Sequence, residues 1–326
     1  MRFLYNLRRS NHAEVQAIPS KICQKTYKIS NWSEYDKSLK HRGSLTIWIS
    51  GDAIKSWNSK KSGKPGWQKK YSDLSIETAL TVRLVYNLKW RQTVGFIESL
   101  FELMSIDLEV PHHTTLSRRS KNLGNIEIIK QGSLDSSLDI FIDSTGVGIH
   151  NGNKKKPTKN KSWRKFHAAV DGKGNIVASE ISSNRATDSS KVAKLMRKIR
   201  KPIKSAMADS AYDNNRVYNT LDKYLKNKSS KIIIPPKKNA IASNKSHPQR
   251  NRSIRSRKRY GKRPWIIKSK YNLRNRVENT FLRYKRIIGP SLNARTLQGQ
   301  RVEMQMGCKI LNIMTGLGMP QSSLKI

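Results

Sequence analysis

The feature that most constrains the fold is a series of three short apolar segments that begins after residue 134. Residues 138–143 form the first segment, which ends in Asp143. Residues 163–170 and 176–181 form the next two, and the Asp-Gly-Lys-Gly-Asn sequence of residues 171–175 between them is typical of a hairpin turn. The pattern predicts three consecutive antiparallel strands.

Helical and extended patterns alternate after these three strands. A helix is predicted to begin at Asp188, a strand to cover residues 203–209, and a second helix to begin at Asp213. A fifth strand at residues 232–234 is stopped by two prolines. This order is typical of the mixed α/β sheet of ribonuclease H-like proteins. In such a sheet the ends of the first and fourth strands are neighbours, and a final helix crosses beside them.

Residues 271–285 contain no Gly or Pro and are predicted to form that final helix. At about 100° per residue, its charged and phenolic side chains share one stripe: Tyr271, Arg274, Glu278 and Lys285. The neighbouring stripe is apolar and consists of Leu273, Val277, Phe281, Tyr284 and Ile288. On this segment alone, a surface helix with an ion pair between Arg274 and Glu278 explains the pattern equally well.

Residues 27–133 are predicted to form a mostly helical region. Residues 42–50 alternate enough to suggest a short strand, and helices are expected from Ser72 and after Arg91. A further helix rich in Thr and Arg follows Pro111, over residues 112–119. Together these helices suggest a helix-turn-helix that presents its last helix to a DNA groove, although many helical bundles share the pattern. Residues 1–26 show no clear period and are interpreted as a leader.

The charge of the chain is strongly positive. Its 65 Lys and Arg residues against 22 Asp and Glu residues give a net charge of +43, which predicts a long polyanion such as nucleic acid as the partner. A membrane surface is the alternative, but the charge is spread over the whole length. Residues 247–263 are the most basic stretch and contain almost no apolar residues, which predicts a flexible arm that grips phosphates.

Cysteine usage and hydropathy bound the cellular setting. Cys23 and Cys308 lie far apart, without the spacing of a zinc site or a disulfide framework. No apolar run approaches the roughly 20 residues of a membrane span, and the N-terminus lacks the apolar segment of a signal peptide. These features predict a reducing, cytoplasmic setting. A last helix is predicted over residues 297–317.

Acidic residues are scarce, so their positions are informative. In the predicted sheet Asp143 and Asp209 end the first and fourth strands, and Glu278 lies on the final helix. Three carboxylates would then converge, and such a set suits Mg²⁺. Two ions about 3.5–4 Å apart could activate an attacking oxygen and stabilise a leaving one at phosphorus. Each acid alone is more simply explained as a helix cap or a surface ion pair.

Three motifs carry a family resemblance. The sequence around Asp143 is Ile-Asp-Ser-Thr-Gly, that around Asp209 is Ala-Asp-Ser-Ala-Tyr-Asp, and Tyr271 begins a full Tyr-x2-Arg-x3-Glu-x6-Lys pattern. With the segments that begin at Tyr27 and Arg42, these motifs resemble the DDE transposases of bacterial insertion sequences, and especially the insertion-sequence-five group. The resemblance covers roughly residues 27–318. Ser210 stands where a glycine is commoner, which leaves the acid intact.

The resemblance implies an enzyme that binds the terminal inverted repeats of a mobile element, cleaves there and joins the freed 3′-hydroxyls to target DNA. It implies two Mg²⁺ ions, with Mn²⁺ as a substitute, and a homodimer or higher multimer on DNA. Asp143, Asp209 and Glu278 would be the metal ligands. Arg274 and Lys285 would hold phosphates near the cleavage point, and Tyr271 would contact the terminal DNA. A decayed DNA-binding copy and a structure-specific nuclease are the alternatives.

The same resemblance divides the chain. A DNA-binding region is predicted for residues 27–133 and a catalytic domain for residues 134–290, with a basic insertion at about 237–270. Residues 291–326 would follow as a C-terminal helix.

Overall fold

The structure, a computed structural model, describes residues 27–60, 63, 65–66, 68–124, 126–130, 132, 134–149, 163–225 and 229–324. The predicted leader at residues 1–26 and the lysine-rich loop around residues 154–161 lie outside these residues. Among the described helices, none has both the length and the apolarity needed to cross a membrane.

The first part of the chain is helical after a short strand. Its elements are β1 (Tyr27–Ile29), α1 (Trp32–His41), α2 (Leu45–Trp48), α3 (Gly51–Lys55), α4 (Asp73–Val85), α5 (Trp90–Leu103) and α6 (His113–Ser120). The strand predicted at residues 42–50 is wrong, because this segment forms α2 and the turn before α3. The Trp48 indole donates to the Arg42 carbonyl at 2.8 Å, and the Ser50 hydroxyl caps α3. Burial of Trp48 and the Ser50 cap favour helices here, although apolar and polar residues alternate briefly in the sequence.

Helices α4, α5 and α6 pack against one another around a shared apolar core. Ser72 caps α4 as predicted, by accepting from the Ser75 amide at 3.0 Å. Arg119 on α6 donates to the Tyr71 carbonyl and pairs with Asp73, so this arginine fixes α6 to the start of α4. A DNA-contacting role for α6 stays a prediction.

The second part of the chain forms a mixed sheet. Its strands are β2 (Leu138–Ile149), β3 (Trp163–Val170), β4 (Ile176–Ser183), β5 (Ile203–Ala208), β6 (Lys231–Ile233) and β7 (Ser291–Leu292). The order is β4-β3-β2-β5-β6; the first three are antiparallel, β5 and β6 run parallel to β2, and β7 pairs with the far end of β2. The predicted ribonuclease H-like order of strands is confirmed.

Three local predictions about this region are corrected. Strand β2 does not end at Asp143 but continues to Ile149, because its pairing with β3 persists to Gly148. Asp188 begins a 3₁₀ turn, Asp188–Lys191, before α7 (Val192–Met196). The helix predicted from Asp213 is α8 (Asn215–Tyr224), and Asn214 caps it instead.

The stretch predicted to be a flexible arm, residues 247–263, is folded instead. It forms α9 (Pro248–Tyr260) and the start of α10 (Lys262–Ser269). Arg250 pairs with the buried Asp213, and Gln249 bonds to the backbone of β6 through the Ile232 amide at 2.8 Å. Polar anchors to distant residues therefore order a segment that has few apolar residues of its own.

Two long helices complete the fold. A 3₁₀ turn, Tyr271–Arg274, leads into α11 (Asn275–Ile287), so the predicted helix is regular only from Asn275. Helix α12 (Leu297–Leu317) has the predicted bounds. It packs against β4 and α11 on one side and α4 on another, and therefore joins the sheet to the helical region. The chain then returns to β1 through β8 (Ser322–Leu324).

Candidate active site

The register of β2 and β5 places two acids side by side. Ile142 of β2 is paired with Ala208, the last residue of β5, in a parallel ladder. Asp143 is the next residue of β2, and Asp209 directly follows β5, which therefore ends one residue before the predicted bound. Ile142 and Ala208 both face the apolar core under α7 and α8. Because side chains alternate along a strand, Asp143 faces the opposite side of the sheet, where α11 crosses. The predicted proximity of the two strands at this point is confirmed.

Arg274 joins two of the three predicted acids. Its Nη1 lies 2.7 Å from Asp143 Oδ2, and its Nη2 hydrogen-bonds Glu278 Oε1. The Arg274 side chain is 14% exposed, whereas that of Glu278 is 51% exposed. The ion pair within the helix that was an alternative explanation of the sequence is therefore present. It is also part of a larger arrangement that reaches the sheet.

The electrostatics of this group reflect its burial. Burial raises the pKa of the Asp143 carboxyl above its usual value, and the charge of Asp209 adds to the rise. Two groups lower the pKa of Asp143: the Ser144 amide, which donates to Asp143 Oδ1 at 2.8 Å, and the Arg274 guanidinium. Burial alone would lower the pKa of Arg274, but the groups around it, including Tyr271, raise that pKa above its usual value.

Tyr271 contacts Arg274, and Lys285 contacts the strand that carries Asp143. The Tyr271 ring lies against Arg274, with the guanidinium carbon 5.7 Å from the ring centre, and 5.5 Å from the Trp265 ring. Burial raises the pKa of its phenol to about 12. Lys285, in the last turn of α11, donates to Thr145 Oγ1 at 2.6 Å. All six residues that the sequence indicated therefore lie around one end of the β2–β5 pair.

The donor set matches a hard divalent cation, because all three acids offer carboxylate oxygens. Among the described residues, no three His, Cys, Asp or Glu side chains come close enough to hold a metal ion as they stand. The Arg274 guanidinium lies between Asp143 and Glu278 and pairs with both. The three acids therefore fit a metal ion by their chemistry, and the contacts of Arg274 would have to change for Asp143 and Glu278 to bind one.

A basic cleft of about 360 Å³ opens beside Asp209 and was not foreseen as part of the site. Its walls combine Tyr271 and Arg274 with residues of α9, α10 and the loop after β6: Lys237, Lys238, Arg257, Lys262 and Trp265. Arg257 also donates to the Pro236 carbonyl at 2.8 Å, which fixes this wall. The only signal in the sequence was the density of basic residues, which says nothing about where α9 docks.

Polar side chains also lie behind the acids, on the opposite face of the sheet. His167 lies opposite Ser144 in the pairing of β2 with β3 and is fully buried. Its Nε2 atom shares one hydrogen bond with the Ser182 hydroxyl at 2.7 Å. Burial lowers its pKa to about 4, so its ring is neutral near pH 7. The Tyr212 hydroxyl is buried nearby, and burial together with Asp143 raises its pKa. Neither His167 nor Tyr212 lines the basic cleft.

Comparison with known proteins identifies the family of the chain. Two family models match the chain, both described as a transposase DDE domain, over residues 40–152 and 136–313. A structure of piggyBac transposase in a synaptic complex with hairpin DNA is similar at 12% identity and a TM-score of 0.41, covering 86% of this chain and 74% of that one. DDE transposase domains generally use divalent metal ions. Because the second model spans more than half of the chain, this protein belongs to the DDE transposase family and is a DDE-type DNA transposase.

Proposed function

We propose that this transposase belongs to the insertion-sequence-five group, binds the terminal inverted repeats of its own element, and cleaves and transfers DNA strands there. The observation that carries the proposal is the single cluster formed by Asp143, Asp209, Arg274 and Glu278 at the β2–β5 end, beside a basic cleft. The partner would be double-stranded DNA, bound by a homodimer or higher multimer in the cytoplasm, at the nucleoid.

Asp143, Asp209 and Glu278 would hold two Mg²⁺ ions, for which Mn²⁺ could substitute. When bound, such a pair supplies an activated attacking oxygen and charge neutralisation at the phosphate and leaving oxygen. For these carboxylates to be free, Arg274 must leave at least one of them. A DNA phosphate offers Arg274 an alternative bidentate partner, so substrate binding and release of the carboxylates would be coupled.

The other residues would position DNA. Lys285 has no ion pair with any described residue and hydrogen-bonds a neutral threonine, so its charge is available for a phosphate near the cleavage point. Tyr271 keeps a neutral phenol well above pH 7 and lines the basic cleft. Its ring would contact the terminal nucleotide, with the cations of α9 and α10 neutralising the backbone on either side.

The test is cleavage of a duplex that carries the sequences flanking this gene, with Mg²⁺ present and end labels on each strand. We expect wild-type protein to cut at a fixed position, and Asp143→Asn to lose at least about 100-fold in rate. Binding of the duplex should remain within a few-fold, because the substitution removes one negative charge from a positive surface.

Asp139→Asn is the matched control, since Asp139 lies on the same strand and hydrogen-bonds Ser205 at 2.6 Å, away from the cleft. It should cleave like wild type. Full activity of Asp143→Asn would remove this carboxylate from the mechanism. Cleavage of any duplex, without regard to the flanking sequence, would favour a structure-specific nuclease, and end binding without cleavage by wild type would favour a decayed copy.

A further inference from the structure

A second basic cavity lies away from the acidic cluster. It has a volume of about 540 Å³ and is enclosed by α4, the start of α5, α6 and the N-terminal end of α12. None of the residues that line it belongs to the site described above. It is therefore a separate feature of the junction between the helical region and the sheet.

Arg83 of α4 lines this cavity and is largely buried. Its side chain is 8% exposed, and its guanidinium stacks on Trp90 at 4.6 Å from the ring centre. Its Nε atom is buried and has no hydrogen-bond partner among the described residues. Burial lowers the pKa of Arg83. A buried guanidinium with an unsatisfied donor is costly, so a negatively charged group bound in the cavity would stabilise Arg83.

The one acid in the wall forms its hydrogen bonds elsewhere. Glu303 of α12 lies 4.0 Å from Arg83, beyond hydrogen-bonding distance. Its oxygens accept instead from the backbone amides of Asn293 and Ala294, at 3.0 and 2.8 Å. Glu303 thus fixes the loop before α12 and does not hydrogen-bond Arg83.

Three more cations surround the cavity. Lys89, Lys121 and Arg295 line it and form no ion pair with any residue that the structure describes. With Arg83, they place four positive charges around a single carboxylate, Glu303, whose oxygens already accept hydrogen bonds from the backbone. The positive end of the α12 dipole lies at the same wall, and the Ser117 side chain of α6 also lines it.

From these contacts we propose that the cavity binds a phosphate group. A phosphate offers several acceptor oxygens to donors that converge from different elements, and its negative charge balances the surplus here. The phosphate could belong to a DNA backbone or to a small phosphorylated molecule. Only the DNA source rests on the proposed function, and in that case the cavity would clamp a backbone phosphate between α6 and α12.

The experiment compares two triple variants with equal loss of charge. The cavity variant is Lys89→Gln, Lys121→Gln and Arg295→Gln, and Arg83 is left in place to preserve the fold. The control is Lys194→Gln, Lys204→Gln and Lys223→Gln, three exposed lysines of α7, β5 and α8. Each protein is titrated by calorimetry with inorganic phosphate and, without metal, with a 12-base-pair duplex that lacks element ends.

We expect the cavity triple to lose at least about tenfold in affinity for phosphate, the duplex or both, relative to the control triple. A loss for the duplex identifies the DNA backbone as the source, with a shallower salt dependence than the control. A loss for phosphate alone identifies a small phosphorylated ligand. Equal behaviour of the two triples with both probes would overturn the proposal. Because cleavage is not measured, failure of the proposed catalytic function would leave these outcomes unchanged.

Discussion

Two arginine–aspartate pairs lie near the ends of the parallel strands, and they differ in what surrounds the carboxylate. Asp213 follows β5 and its 3₁₀ turn, is 0% exposed, and receives Arg250 at 2.7 Å and the Lys237 amide at 2.9 Å. Asp143 receives Arg274 at the same distance, but a second carboxylate, Glu278, shares that arginine, and Asp209 lies beside it.

The difference indicates two roles for the same chemical pair. The oxygens of Asp213 are saturated by fixed donors, and the pair fastens α9 to the sheet. The group around Asp143 contains three acids and one arginine, and it opens toward the basic cleft. The single charge of Arg274 is shared between Asp143 and Glu278. The Arg250–Asp213 pair holds the wall of the candidate site in place, and the Arg274–Asp143 pair lies within the candidate site.

The largest effect on stability is expected from Arg250→Met. Removing the arginine leaves Asp213 buried with one backbone donor, and loss of one partner of a buried pair costs about 3–5 kcal/mol of unfolding free energy. Urea unfolding followed by circular dichroism measures this loss. Arg252→Met, an exposed residue on the same helix, is the control and should change stability by less than about 0.5 kcal/mol. Equal effects of the two variants would mean that the pair does not fasten α9.

This fastening also explains what the sequence did not predict. Strand order and the bounds of α12 follow from local apolar periodicity, and the structure confirms them. The fold of residues 248–260 depends on Asp213, 37 residues before Arg250, and on Gln249 contacts with β6. A local pattern cannot reveal such partners, so the arginine-rich composition of this segment predicts an arm although the segment is folded.

In the candidate site too, local contacts could be predicted from the sequence and contacts between distant residues could not. The placement of Asp143 beside Asp209 could be predicted, because it follows from the order of strands. The nearby partner of Arg274, Glu278, follows it by four residues, and this spacing alone predicts the ion pair. Its second partner, Asp143, is 131 residues away and became visible only in the structure. The roles of these residues in catalysis stay predictions.

A smaller loss of stability is expected from Arg274→Met. The Arg274–Glu278 contact is half exposed, and Asp143 retains the Ser144 amide and can take up a proton. We therefore expect a loss of about 1 kcal/mol, measured by the same urea unfolding near pH 7. Arg286→Met, an exposed residue of α11, is the control. A loss as large as that of Arg250→Met would show that the two pairs have the same structural role.

The smallest effect is a change in pH dependence caused by Asp143→Asn. Since burial raises the pKa of Asp143 in the folded protein, the protonated carboxyl stabilises the fold below its unfolded pKa of about 3.9. This contribution is lost as pH rises through the folded pKa. Asparagine does not ionise, so the unfolding free energy of the variant relative to wild type should increase over that interval and then level off.

Urea unfolding of both proteins at a series of pH values from about 4 to 7 measures this difference. The same substitution made in the Arg274→Met background sharpens the comparison. Arg274 opposes the rise in the Asp143 pKa, so without it the relative gain of Asp143→Asn should extend to higher pH. If the difference in unfolding free energy between Asp143→Asn and its parent does not depend on pH in either background, ionisation of Asp143 does not destabilise the folded protein. The carboxylate would then be as well compensated as Asp213, and the contrast between the two pairs would fail.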